Sequence, residues 1–285
     1  MPVPTFSQVI AAMDHLYPPA LAEDWDAIGA VCGDLQAPVS RILFAVDPHP
    51  EVIEEAISVS ADLIITHHPL LLTPVHDVST RTTTGRTVHR LISHNIALFT
   101  AHTNADSAAE GVSDALARVL GVSDAVPLSS GATAEVGLGR IGRLETPVSL
   151  AEFADRVAAQ LPLTAHGVRV AGDPVRLVTT VAVCGGSGDS FLTDAAAQHA
   201  DVYVTADLKH HRTLDHLSDS DTAVIDVAHW ASEWPWLAVV AQRLTTELNT
   251  QGDTVEALVS TIVTDPWTFH VSGGAEVKPD VRSSP

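Results

Sequence analysis

Ala61-Asp62-Leu63-Ile64-Ile65-Thr66-His67-His68-Pro69-Leu70 is the stretch whose reading decides the fold of this 285-residue chain. Its unbroken apolar run reads as a strand over 61–66, buried on both faces as strands of helix-covered parallel sheets are. Pro69 cannot donate to a ladder, so pairing stops there. Successive strand side chains point to opposite faces. His67 and His68 therefore share one site only where the strand has become loop, at the sheet edge where open α/β folds bind ligands. A solvated pair of loop histidines is the plain alternative.

Outward from this strand, the pattern alternates. Residues 41–46 read as a strand, 51–60 as a helix, 85–94 as a helix, 96–100 as a short strand and 110–120 as an amphipathic helix ending at Gly121. Upstream, Thr5 with Gln8 forms a capping box for a helix that ends near Tyr17, before Pro18-Pro19. Downstream, Gly137-Leu138-Gly139-Arg140-Ile141-Gly142 punctuates a strand, and Ser149 with Glu152 caps a helix to about Leu161. Strands at 178–184, 202–205 and 223–227 follow, with helices over 190–199 and from about Ser232. Such alternation predicts α/β layers, with a boundary between lobes near 122–133. The closing residues, small and charged, read as a mobile tail. Ala61–Thr66 and Ala200–Thr205 match in pattern, and His102-x3-Asp106 echoes His229-x3-Glu233, as two duplicated lobes would.

Composition narrows the function. A formal net charge of -20 repels polyanions, so nucleic acid is not an expected partner. No apolar run approaches the roughly 20 residues of a membrane span. Met1-Pro2-Val3-Pro4-Thr5 does not read as a secretory signal, so a cytoplasmic location is expected. Two cysteines, Cys32 and Cys184, provide neither a metal knuckle nor a disulfide framework. Fifteen histidines stand beside five Trp and two Tyr, so nitrogen ligands are plentiful while stacking surface is scarce.

Three strand ends offer metal-binding groups: His67 and His68, then Asp106, then His229 and Glu233, the last two four apart on one helix face. Asp106 or Asn104 capping a helix is the competing reading of the second segment. The mixed imidazole and carboxylate set suits Zn, Mn, Fe, Co or Ni. Five ligands exceed one tetrahedral zinc and suit two divalent ions per chain, with Glu233 bridging them around a hydroxide nucleophile. His102, Asp207 and His211 are candidates for supporting hydrogen bonds or proton transfer. Gly185-Gly186-Ser187-Gly188, between a strand and a helix, could cradle a phosphate, although a tight turn explains the glycines equally well.

Taken in order, Trp25-Asp26-Ala27-Ile28-Gly29, Thr66-His67-His68-Pro69, His102-Thr103-Asn104-Ala105-Asp106, Gly137 to Gly142, Gly185 to Gly188, Thr205 to His211 and His229 to Glu233 resemble the GTP cyclohydrolase I type 2 homologue family, the NGG-one-interacting-factor-three-like dinuclear-metal proteins. The resemblance implies two related α/β lobes with three-layer mixed sheets and a dinuclear metal site between them. It implies that His67, His68, Asp106, His229 and Glu233 are the ligands, and that the chain assembles as a toroidal homohexamer. Ala27, Ala30, Ala206 and Ala228 depart from the family's usual Asn, Leu and glycines, and a short inter-lobe spacing implies that an inserted domain is missing. The expected division is 1–125, completed by 225–270 at the site, then 126–270, then a tail at 271–285. The expected function is metal-dependent hydrolysis of a nucleotide or phosphorylated small molecule; a metal-delivery protein or ring-shaped scaffold is the alternative.

Overall fold

Residues 2–129, 131 and 135–273 are described by the computed structural model. The first part of the chain forms α1 (Phe6–Leu16), β1 (Gly29–Cys32), β2 (Arg41–Ala45), α2 (Pro50–Ser58), β3 (Leu63–Thr66), α3 (Thr83–Ser93), β4 (Ala97–Thr100), α4 (Thr103–Ser107), α5 (Val112–Val119) and β5 (Val122–Pro127). The rest forms β6 (Arg140–Ser149), α6 (Leu150–Gln160), β7 (Arg169–Ala171), β8 (Leu177–Ser187), α7 (Leu192–Ala197), β9 (Val202–Ala206), α8 (His210–Asp219), β10 (Ala223–Val227), α9 (His229–Thr250) and β11 (Glu256–Val259).

The apolar strands become the centres of two mixed sheets, ordered β1-β4-β3-β2-β11 and β5-β6-β8-β9-β10-β7. In the first, β3 lies parallel between β2 and β4, and only the edge strand β1 runs antiparallel. In the second, β9 lies parallel between β8 and β10, β6 and β7 run antiparallel to them, and β5 pairs antiparallel with β6. The fully buried strand 61–66 read from sequence is therefore central, as its lack of a polar face requires.

The two lobes repeat one another down to hydrogen bonds. Asp62, just before β3, accepts the amides of Ser40 and Arg41 at 2.7 and 2.9 Å. Asp201, just before β9, accepts those of Thr179 and Thr180, both at 2.8 Å. Each carboxylate pins its strand to the start of the preceding one. Ahead of each aspartate a non-glycine residue takes a left-handed turn, Ser60 at φ 54° and His199 at φ 56°. The sequence echo is thus a shared local geometry.

Helix α9 joins the lobes. It packs on β2 and β11 of the first sheet and on β8 and β9 of the second, burying Trp236, Leu237, Val240, Leu244 and Leu248. One continuous core runs from Phe44, Leu63 and Phe99 through α9 to Val181, Val202 and Ile225. Arg140, 2% exposed, is a second tie. Its guanidinium forks onto Asp114 of α5 with both contacts at 2.7 Å, and it also donates to the carbonyls of Ala108, Gly137 and Gly139. Two of those carbonyls, of Gly137 and Gly139, come from the Gly-rich motif around it.

Several expectations change. Helix α9 starts at His229 rather than near Ser232, and Asp106 sits on its own short helix, α4. The helix expected over 190–199 is a 3-10 turn at Asp189–Phe191 followed by α7. Strand β5 already enters the second sheet at Val122, while β11, far along the chain, completes the first. The edge strands β1, β7 and β11 are short and partly exposed, so they carry no hydrophobic run to betray them. Of the tail at 271–285, residues 274–285 lie outside the described residues.

Candidate metal centre

The carboxyl ends of β3, β4, β9 and β10 face one another, and each delivers polar side chains into the gap. After β3 come His67 and His68. After β4 come His102 and the α4 residue Asp106. After β9 comes Asp207, and after β10 come His229 and, one turn along α9, Glu233. His67 is wholly buried and Glu233 is 3% exposed. Trp236, also buried, stands edge-on behind His67 with ring centroids 5.4 Å apart.

Four imidazoles here share one arrangement. His67 Nδ1 donates to the carbonyl of Ala101 at 3.0 Å. His68 Nδ1 donates to Asp47 at 2.7 Å, His102 Nδ1 to Asp26 at 2.8 Å, and His229 Nδ1 to Asp207 at 2.7 Å. A carbonyl or a carboxylate only accepts, so each Nδ1 carries the hydrogen and each neutral ring keeps a bare lone pair on Nε2. Those nitrogens converge: His68 and His229 Nε2 are 3.3 Å apart. Glu233 lies among them, 3.4 Å from His67 Nε2, 3.1 Å from His68 and 3.0 Å from His229. Asp106 reaches to 3.7 Å from His67 Nε2.

Such crowding of acceptors inside a protein is costly unless something positive sits among them. Burial opposes ionisation of Glu233, but the imidazoles of His68, His229 and His67 hold its pKa well below the carboxylate range. Glu233 in turn raises His229 to about 11, with help from Asp207. Burial pulls His68 down, yet Glu233 and Asp47 outweigh it and raise the ring to about 10. Asp106 is pushed up to about 6, chiefly by burial. Even so, His67 Nε2 and Glu233 Oε2 are buried without a hydrogen-bond partner. Two groups, His67-His68-His102 and His68-His229-Glu233, hold their ligand atoms within 4.8 Å of one another and could bind a metal ion.

The structure thus assembles His67, His68, Asp106, His229 and Glu233 at one centre, and places His102 there too with its Nε2 turned inward, where sequence reasoning had given it a supporting role. Asp207 orients His229 at the cost of a left-handed backbone, φ 58°. His211 is a correction: it is exposed on α8, and its ring packs on His210 rather than on the centre. The glycine loop is another. The amides of Gly185 and Gly186 are taken by Ser113 and Ser232 at 3.3 and 2.8 Å, so they are not free for a phosphate. At Gly186 a Cβ would stand 2.4 Å from Glu233 Oε1 and 3.2 Å from His229 Nε2, and at Gly188 it would meet Thr205 and Tyr203 at 2.3 Å. These glycines leave room for the centre and its packing.

Sequence reasoning missed the orienting carboxylates Asp26 and Asp47. Asp47 had a readable signal, since it directly follows strand β2 as the other site residues follow theirs.

Fold and site together define a two-lobed α/β protein with a histidine and carboxylate centre able to hold metal between the lobes. The chain belongs to the Duf34/NIF3 (NGG1p interacting factor 3) family, whose model matches residues 4–266. A Streptomyces coelicolor protein named "GTP cyclohydrolase 1 type 2 homolog" is 48% identical over 273 residues, covering 95% of this chain and 96% of that one. The Mycobacterium tuberculosis protein of the same name is 36% identical over 94% of this chain and 98% of its own. Among solved structures, a Bacillus cereus protein related to NIF3 matches with TM-score 0.87 and 25% identity, covering 94% of this chain and all of that one. A Staphylococcus aureus hypothetical protein matches with TM-score 0.87 and 28% identity over 93% and 99% of the two chains. No helix among the described residues is long and apolar enough to cross a membrane.

Proposed function

We propose that this chain is a metal-dependent hydrolase that holds two divalent ions and acts on a nucleotide or another phosphorylated small molecule. The observation that carries this reading is the set of four imidazoles fixed through Nδ1, with the Nε2 atoms of His67, His68 and His229 turned toward Glu233 and His102 grouped with His67 and His68. The orphaned His67 Nε2 and Glu233 Oε2 fit the same interpretation, because a cation satisfies both where no protein donor does. On it, His67, His68, Asp106, His229 and Glu233 are the ligands, with Glu233 shared between two ions and His102 completing one group. Zn, Fe, Mn, Co and Ni all accept such donors. Bound there, two such ions supply Lewis acidity and make water nucleophilic near neutral pH.

The chain's own groups do the rest. Asp26, Asp47 and Asp207 keep three rings in the productive tautomer and orientation, and the Ala101 carbonyl keeps the fourth. Their pKa values all lie on the ionised side: burial opposes it for Asp26 and Asp47, but hydrogen bonds from His102, Thr103 and His68 prevail, and at Asp207 the bond from His229 dominates. They therefore remain acceptors across the neutral range. Trp236 and the α9 core keep water from the back of the site. The names of the relatives support a nucleotide such as GTP as substrate. We extend the family resemblance to a ring-shaped homohexamer.

Elemental analysis of purified protein, followed by a product screen of the metal-loaded enzyme against nucleotides, tests this. Turnover that disappears in folded His67→Ala and Glu233→Ala variants is expected. Full metal content in both variants, or stably bound metal with no product from any nucleotide, would sink the hydrolase reading.

A further inference from the structure

Trp25 is 60% exposed, yet it does not sit on a loose tip. The Glu23 amide donates to Thr103 Oγ1 at 3.0 Å, and the Asp26 amide closes the turn on the Glu23 carbonyl at 3.0 Å. The Asp26 carboxylate then takes the Ala27 amide at 2.7 Å, the Thr103 amide at 3.0 Å and His102 Nδ1 at 2.8 Å. Glu23 and Asp26, on either side of Trp25, are thus bound to the segment that carries His102. The indole itself stands edge-on to His102, ring centroids 5.9 Å apart and planes at 80°. His102 in turn is 5.1 Å from His67 and 5.5 Å from His68.

A rigidly held indole left in water beside a polar centre is unusual for a purely structural residue, because burial is what stabilises so large an apolar ring. Its position is the informative part. One turn, 23–27, uses Asp26 to set the His102 tautomer and Trp25 to present an aromatic surface next to the same ring. Aromatic residues make up only 5% of the chain, so a flat platform at this mouth is not an effect of abundance. Stacking on an aromatic face recognises any planar heterocycle without hydrogen bonds to its edges.

We infer that Trp25 is the stacking surface for the planar heteroaromatic ring of a substrate whose phosphate end lies at the histidine and carboxylate centre. The site then selects ring-bearing phosphates over sugar phosphates. This rests on the reading of that centre as a metal-dependent site for phosphorylated compounds.

GMP and ribose 5-phosphate share the sugar phosphate and differ by the ring, so isothermal titration of both into the metal-loaded full-length protein isolates the stacking contribution. GMP is expected to bind roughly ten- to a hundred-fold more tightly, the range that base stacking on one aromatic side chain provides. Trp25→Ala should bring GMP down to the ribose 5-phosphate value while leaving ribose 5-phosphate binding and metal content unchanged. Trp25→Phe should fall between. Equal binding of both probes to the unaltered protein overturns the stacking role alone, and binding of neither overturns the nucleotide reading together with it. GMP affinity that survives Trp25→Ala overturns the role as well; if sedimentation then shows the assembly falling apart, a second copy covers Trp25. Joint loss of both probes or of metal marks the residue as structural and refutes the proposal.

Discussion

His68 and His229 meet nitrogen to nitrogen, their Nε2 atoms 3.3 Å apart although 161 positions separate them in the chain. Each ring donates its other nitrogen to a carboxylate, Asp47 for His68 and Asp207 for His229. Two lone pairs cannot face one another at that distance without a positive charge at one of them. In the metal-free protein a proton on each Nε2, facing Glu233 at 3.1 and 3.0 Å, supplies it, and on the proposed reading metal takes the place of those protons.

Loss of either carboxylate frees its ring to rotate or change tautomer. Asp47→Ala and Asp207→Ala should each weaken metal binding about 10- to 100-fold, the usual cost of removing such an orienting partner. Competition against a chelating dye measures it. Affinity within twofold of the unaltered protein would show that packing alone orients the rings.

Metal loading should expel protons. With His229 raised to about 11, mainly by Glu233, and His68 raised to about 10 despite its burial, both rings are charged at pH 8 in the metal-free chain. Binding must displace one proton from each. Calorimetry in buffers of different ionisation enthalpy reads this directly, and a binding heat independent of buffer contradicts it.

The same shifts set the sign of the metal-free protein's pH dependence. Raised imidazoles stabilise fully below their ordinary value of 6.5 and lose that contribution as pH climbs toward 10 and 11. Glu233, held far below its ordinary 4.5, contributes fully above that value and loses its contribution as pH falls below it. Melting in excess chelator should therefore be highest between about pH 5 and 6.5 and decline toward alkaline pH. A melting temperature that rises from pH 6.5 to 10 would contradict this assignment of charge.

Gly186→Ala separates two uses of the glycine loop. The new methyl would press on Glu233 Oε1 and His229 Nε2 at a residue whose φ is +67°. Metal content should collapse and stability fall by about 1–3 kcal/mol, as overpacking and a left-handed non-glycine together cost. Retained metal with weakened phosphate binding would restore the phosphate-cradle reading.

Arg140→Met should destabilise by roughly 3–5 kcal/mol, since it strands Asp114 and three carbonyls inside the joint between lobes. Urea denaturation measures the change. A loss below about 1 kcal/mol would mean that water replaces the guanidinium there.

Much of the centre was legible because its residues stand at the ends of buried strands. Leu63–Thr66 shows an apolar run that stops at His67-His68-Pro69, and Ala223–Val227 shows another before His229. The helical spacing of His229 and Glu233 carries their shared face, and the paired capping boxes at Thr5 and Ser149 appear as read. The misreadings arose where neighbours in space, not in sequence, set the outcome. Gly185 to Gly188 resembles a phosphate loop until Ser113, Ser232 and Glu233 are seen packed against it. His211 has the right chemistry on a helix that turns it to solvent.

By itself, the sequence determined the two strand-rich lobes, their internal echo and the residue types gathered at the strand ends, because hydrophobic period and local capping are properties of adjacent residues. Only the tertiary structure decided that His102 turns inward, that Asp26, Asp47 and Asp207 each hold a ring, and that His68 meets His229. Those contacts cross tens of positions or more, and nothing local encodes them: Asp26 and Asp47 reach their rings between neighbouring strand ends of the first sheet and Asp207 between those of the second, while His68 meets His229 because α9 and the Arg140 joint bring the two sheets' strand ends together around one buried glutamate.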